Sequence, residues 1–228
     1  MIGFFDSWKW WLLVMQEFQS YFPNIPMIIE MDIENCPYGN KDTSEIRSLT
    51  KAWVDRLFAR WASVVILACN TASVHALRWL QQEIYPDKHI LGVMIPGAEK
   101  IIEMGYKRIW VLATEATVRI RAYKERVHFL DDSIYIEEVW APELVPLIES
   151  WIYSQELLHT HLSSYIASFS PDIEALILGC THFPYIKSDI IHIWNSTHNT
   201  PTPVIIDPGK ESAKKFQQWI TRHSIVLK

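Results

Sequence analysis

Two short stretches fix the architecture open to this chain. VVILACNTAS carries Cys69 and ALILGCTHFP carries Cys180, 111 positions later. In each, an apolar run of strand length ends at or just before the cysteine, and small hydroxyl residues that suit a helix start follow it. A continuous rather than alternating run marks a strand covered on both faces, the habit of parallel sheets. Parallel strands in turn need a crossover, usually a helix, to carry the chain back between them. Two such units, each leaving a thiol at a strand end, imply a duplicated α/β chain.

The rest of the sequence repeats the alternation. Strands are expected at 2–5, 27–31 and 64–68, with helices over 12–22, 43–60 and 72–84. On the helix over 43–60, Ile46, Leu49, Trp53 and Leu57 recur at helical spacing. The pattern then restarts, with strands at 89–94, 108–113, 134–139 and 175–178. Helices are expected over 97–104, 118–129 and 144–168, the last interrupted near Trp151. A closing strand at 204–206 and a helix over 211–220 complete the chain. IGFFDS and IWVLAT hold matching places in the two halves, as do ILACNT and ILGCTH. The expected fold is therefore α/β with two similar lobes, each a mostly parallel sheet flanked by helices. The first lobe is expected to comprise 1–95 plus 205–228 and the second 96–204, with the active site in the cleft between them, outside the carboxyl ends of the strands.

Composition narrows the partners. The formal charge is −5 and no basic stripe stands out, so nucleic acid is not an expected partner. Cys36, Cys69 and Cys180 are a sparse, odd set without CxxC spacing. Neither a disulfide framework nor a metal site is expected, and a reducing compartment fits. The opening MIGFFDSWKWWLLVM lacks a basic start and a small-residue cleavage site, and no run reaches the roughly 18–20 apolar residues of a membrane span. A soluble cytoplasmic protein without membrane association is expected. Two thiols at equivalent strand ends suggest a pair able to take a proton from one face of a carbon and return one on the other.

Five motifs occur in an order and spacing that resemble bacterial glutamate racemases: FDS at 5–7, PYG at 37–39, ACNTAS at 68–73, LVPLIE at 144–149 and GCTHFP at 179–184. The resemblance covers nearly the whole chain. It implies a cofactor-independent enzyme that interconverts L- and D-glutamate for peptidoglycan, with glutamate as partner and a homodimer common in the family. It implies Cys69 and Cys180 as the acid/base residues, taking the proton from the D- and L-isomer respectively. Asp6 would assist Cys69, while His182 and Glu149 would assist Cys180. Asp6, Ser7, Pro37, Tyr38, Gly39, Asn70, Thr71, Thr117, Thr181 and His182 would surround the substrate. The Thr-His after the second cysteine resembles glutamate racemases, where aspartate racemases usually carry Glu. The alternatives are a related racemase acting on aspartate or another amino acid, and an inactive binding protein that regulates a partner.

One departure stands out. The family's first loop reads FDSGxGG, but here it is FDSWKWW, with Trp8, Trp10 and Trp11 at the glycine positions. Trp61, Trp110 and Trp151 also fall where relatives usually have glycine. The expectation is UGA codons written as tryptophan in a chain whose own translation reads them as glycine; the alternative is genuine tryptophan in a divergent, inactive protein. Reverting these positions lifts glycine from 7 residues to about 6% of the chain, near the usual ~7%. Trp194 is a further candidate, whereas Trp53 reads as ordinary core.

Overall fold

The computed structural model describes residues 1–8, 11–150 and 155–223. They form two compact units, Met1–Gly97 with Pro208–Lys228 and Ala98–Asp207.

The first unit is built on β1 (Ile2–Asp6), β2 (Met27–Met31), β3 (Val64–Leu67) and β4 (His89–Gly92), all parallel in the order β2-β1-β3-β4. β1 and β3 are buried along their whole length, which explains their unbroken apolar runs. Helices α1 (Trp11–Tyr21), α2 (Thr43–Ala59) and α3 (Asn70–Trp79) connect them. On α2 the buried stripe is Ile46, Thr50, Val54 and Leu57, and the expected Leu49 and Trp53 lie at its border, half-buried.

The chain passes into the second unit within α4 (Met94–Met104). There β5 (Arg108–Ala113), β6 (Tyr135–Trp140), β7 (Ala175–Gly179) and β8 (Val204–Ile206) make a second parallel sheet in the order β6-β5-β7-β8. The two orders are the same, so β3 and β7, the strands before the two cysteines, hold equivalent places. In register, Ala113 pairs with Gly179, so Thr114 and Cys180 step off neighbouring strands side by side. Gly179 is required there: a Cβ on it would lie 2.9 Å from the Ala113 Cβ and 3.0 Å from the Leu112 carbonyl oxygen.

Two expectations differ from the structure. The closing strand β8 does not return to the first unit with the final helix. It pairs with β7 through Val204, Ile205 and Ile206 against Ala175, Leu176 and Ile177, because that sheet edge offers the ladder bonds its backbone needs. Only α10 (Pro208–His223) goes back, where Phe216 packs on Phe18 at 5.4 Å and on Phe22 at 5.3 Å between ring centres. The single helix expected over 118–129 is two, α5 (Glu115–Arg119) and α6 (Ala122–Leu130), broken at Arg121 with φ 52°. The Glu138 side chain accepts the Tyr123 N–H at 3.0 Å, and the Lys124 N–H also donates to it, so a fresh helix start is capped from β6. The remaining helices are α7 (Leu144–Glu149), α8 (Gln155–Ser168) and α9 (Lys187–Thr197). Among the described residues no helix is long and apolar enough to cross a membrane.

Candidate active site

In the first unit the site residues gather at the carboxyl ends of β1 and β3. Asp6 closes β1 and is fully buried, and Ser7 follows it with its N–H donating to Asp6 Oδ1 at 2.7 Å. Cys69 is the residue before α3 and acts as its cap, accepting the Ala72 N–H at 3.5 Å on sulfur. Ser7 Oγ lies 3.3 Å from the same sulfur. Asn70 and Thr71 open α3 and are buried, at a helix end whose N–H groups and dipole favour anions. Burial pushes the Cys69 thiol up to about 11, with the negative charge of Asp6 adding to the effect and the Ser7 and Ala72 hydrogen bonds opposing it. Cys69 therefore rests as a thiol, a proton donor.

The Pro37–Gly39 segment meets this cluster through Tyr38, whose ring centre lies 6.0 Å from that of Phe5. Tyr38 opens a short 3-10 turn, Tyr38–Asn40, and is almost wholly buried. Its hydroxyl donates to Asp32 Oδ2 at 2.7 Å. Burial and the adjacent Asp32 carboxylate raise its pKa far above the ordinary phenol value, so it stays protonated.

The second unit arranges its thiol differently. Cys180 lies just past β7, with His182 Nδ1 3.3 Å from its sulfur. His182 Nε2 lies 2.7 Å from Glu149 Oε1, at the end of α7. A carboxylate oxygen accepts, so Nε2 carries a hydrogen; in the neutral ring Nδ1 then presents its lone pair to the thiol. Sulfur, imidazole and carboxylate form one relay. Thr181 is buried beside them, and Thr117 is buried in α5 with its hydroxyl 3.2 Å from Thr114.

The structure thus brings Asp6, Ser7, Cys69, Asn70, Thr71 and Tyr38 into one cluster, and Cys180, Thr181, His182 and Glu149 into another. Cys36 is half-buried and, among the described residues, is in no disulfide. Sequence reading missed three groups, Asp32 and Tyr123 buried and Glu138 half-buried. Asp32 organises the Tyr38 loop, and its signal was an acidic residue directly after an apolar strand. Tyr123 is fully buried near Glu138, Asp207 and Cys180, with its phenol pKa raised by burial first and these charges second. Glu138 is pushed up to about 7 by burial, against the N–H groups of Tyr123 and Lys124.

The described tryptophans differ among themselves. Trp61 follows α2 with φ 67° and is 85% exposed. Its N–H reaches the Phe58 carbonyl, and the Ala62 N–H reaches that of Leu57 at 3.1 Å. This pair of bonds is the left-handed helix stop that glycine ordinarily fills. Trp110 lies buried within β5, 4.4 Å from Phe169 between ring centres, and its indole N–H has no acceptor among the described residues. Trp194 is different: its indole donates to the Pro201 carbonyl at 3.2 Å and its ring stacks on His198. Trp8 lies just past β1, half-buried. Trp10, the Trp11 side chain and Trp151 lie outside the described residues.

The family model described as Asp/Glu/Hydantoin racemase matches residues 19–214. The glutamate racemase of Trichormus variabilis is 34% identical over 212 residues, which cover 91% of this chain and 69% of that protein. This chain belongs to the glutamate racemase family. Among solved structures, the family's Bacillus anthracis member superimposes with a TM-score of 0.89 at 27% identity, covering 100% of this chain and 83% of that one. The glutamate racemase of Francisella tularensis, solved in complex with D-glutamate, gives 0.86 at 28% identity, covering 98% and 81%.

Proposed function

We propose that this chain is a cofactor-independent glutamate racemase that moves protons to and from Cα with two thiols, Cys69 and Cys180. The observation that carries the reading is the repeat itself. Two equivalent strand ends each deliver a buried cysteine, and each cysteine has its own hydrogen-bonding partner.

The α-proton of an amino acid is weakly acidic, so a base on one face and an acid on the other are both needed. Starting from L-glutamate, the Cys180 thiolate removes the proton and the Cys69 thiol delivers one to the opposite face. The His182–Glu149 pair prepares Cys180 for the first step, because an imidazole oriented by a carboxylate can take the thiol's proton. From D-glutamate the roles reverse, and Cys69 must first be deprotonated with help from Asp6. Ser7, Tyr38, Gly39, Asn70, Thr71, Thr117 and Thr181 hold the ammonium and carboxylates, with Pro37 shaping the loop that carries Tyr38. The product serves peptidoglycan synthesis in the cytoplasm, and the active form is a homodimer.

The same reading includes glycine at positions 8, 10, 11, 61, 110 and 151 in the native protein, through UGA decoding. Support comes from the left-handed stop at Trp61 and the unmatched indole N–H of Trp110. The tryptophan form is expected to turn over little, since three bulky indoles would crowd the loop after β1. Tryptophan masses at positions 8, 10 and 11 in peptides of the native protein would reject this part.

Racemisation of L- and D-glutamate, compared with aspartate and other amino acids, tests the activity. Glutamate is expected to be preferred, and Cys69→Ser or Cys180→Ser to abolish turnover. Turnover of aspartate but not glutamate would overturn the substrate assignment.

A further inference from the structure

Asp32 is a buried carboxylate that the proton-transfer scheme leaves unused. It follows β2 directly and is 1% exposed. Its backbone N–H donates to the Asp6 carbonyl at 3.2 Å, which pins it at the strand end that carries Asp6 and Ser7. Among the described residues, the donors to its side chain are neutral. Oδ1 accepts the Asn35 N–H at 3.3 Å and Asn35 Nδ2 at 2.8 Å, Oδ2 accepts the Tyr38 hydroxyl, and Trp53 donates to the same carboxylate. Burial would raise its pKa, yet these donors hold it below the ordinary carboxylate value.

We propose that Asp32 is a positioning residue for substrate, fixing the 33–41 segment so that the backbone at Tyr38 and Gly39 is ready to receive a substrate carboxylate. The inference rests on the racemase reading of the Pro37–Gly39 loop. Residues 33–41 belong to no sheet, and Asp32 grips them at two points, Asn35 and Tyr38. A buried carboxylate facing several donors is anchored strongly, because any donor released would leave charge without compensation. The Tyr38 hydroxyl is committed to that anchor, which removes it from proton transfer and leaves the main chain to meet the ligand. Ordering this loop before substrate arrives lowers the entropy cost of binding, an effect felt in affinity rather than in the chemical step.

The test uses whichever form of the protein, tryptophan or glycine, racemises glutamate. Asp32→Asn is expected to raise KM for glutamate about 10–100-fold with kcat within about threefold, since charge-assisted bonds are lost without touching the reacting atoms. Tyr38→Phe removes the hydroxyl alone and is expected to raise KM by a smaller factor. The double variant should show less than the sum of the single effects, because the Tyr38 hydroxyl acts through the Asp32 side chain. Amide hydrogen exchange over 33–41 should quicken in each. Val14→Ala, on the buried face of α1, should lower Tm without altering KM or that exchange. Unchanged KM in Asp32→Asn, a loss in kcat alone, or additive single effects would overturn the proposal. Absence of glutamate turnover in both forms would overturn the racemase reading instead. Hydrogen exchange would still judge the anchor, and unchanged rates over 33–41 would reject it.

Discussion

The resting state of Cys69 is open to direct measurement through its reaction with iodoacetamide as pH is raised. Only the thiolate reacts, so the rate follows the ionised fraction. With the thiol held at about 11, roughly 0.03% is ionised at pH 7.5, against about 10% for a free cysteine near 8.5. That is a deficit of about 300-fold, partly offset by the greater nucleophilicity of a more basic thiolate. Steric shielding scales all rates alike and leaves the slope with pH untouched. Peptide mass spectrometry after timed labelling should show modification of Cys69 rising about tenfold per pH unit from 7 to 10, with no plateau. Asp6→Asn removes the nearby negative charge and should move the profile to lower pH. The shift should be less than the whole displacement, because burial is the larger cause. A plateau for Cys69 below pH 9 in the unmodified protein would refute the reasoning. So would a profile that Asp6→Asn leaves in place.

Other expectations concern single side chains. Glu149→Gln weakens the imidazole relay and should slow exchange of the α-proton from L-glutamate by about 100-fold, measured by NMR, with a smaller effect from D-glutamate. Glu138 has its folded pKa raised to about 7 from an ordinary 4.5, so the folded state keeps a proton that the unfolded chain releases. Its stabilising contribution is full below pH 4.5 and is lost as pH rises through 7. Glu138→Gln should therefore remove roughly 2 kcal/mol of that decline, after discounting for partial solvent access, as read from urea unfolding at pH 5 and pH 8. Trp61→Gly relieves a left-handed tryptophan and should stabilise the protein by about 1 kcal/mol in the same assay.

Much of this was legible in the residues because the physics is local. Val64–Leu67 and Ala175–Gly179 could only be covered strands, and the cysteines follow them by simple chain continuity. The Glu149–His182–Cys180 relay was named from motifs, and the structure supplies the contacts of 2.7 and 3.3 Å. What escaped depended on partners distant in sequence. β8 was assigned with the final helix because nothing in Val204–Ile206 announces that the edge of β7 is vacant for pairing. The break at Arg121 rests on Glu138, two elements onward, which no helical periodicity can reveal. Nothing in the sequence around Asp32 gives its burial or its four donors. The border position of Trp53, which donates to Asp32, has the same origin: a tertiary bond turned an apparent core residue toward the loop.

The claim on which the account stands is that two separate groups act on opposite faces of Cα. Racemisation in D2O, stopped within the first turnovers, measures this directly. From either enantiomer of glutamate, the product should carry deuterium at Cα while recovered substrate retains protium. Deuterium appearing in recovered substrate as fast as in product, or protium carried into the product, would mean that one group performs both transfers, and would contradict the two-thiol mechanism.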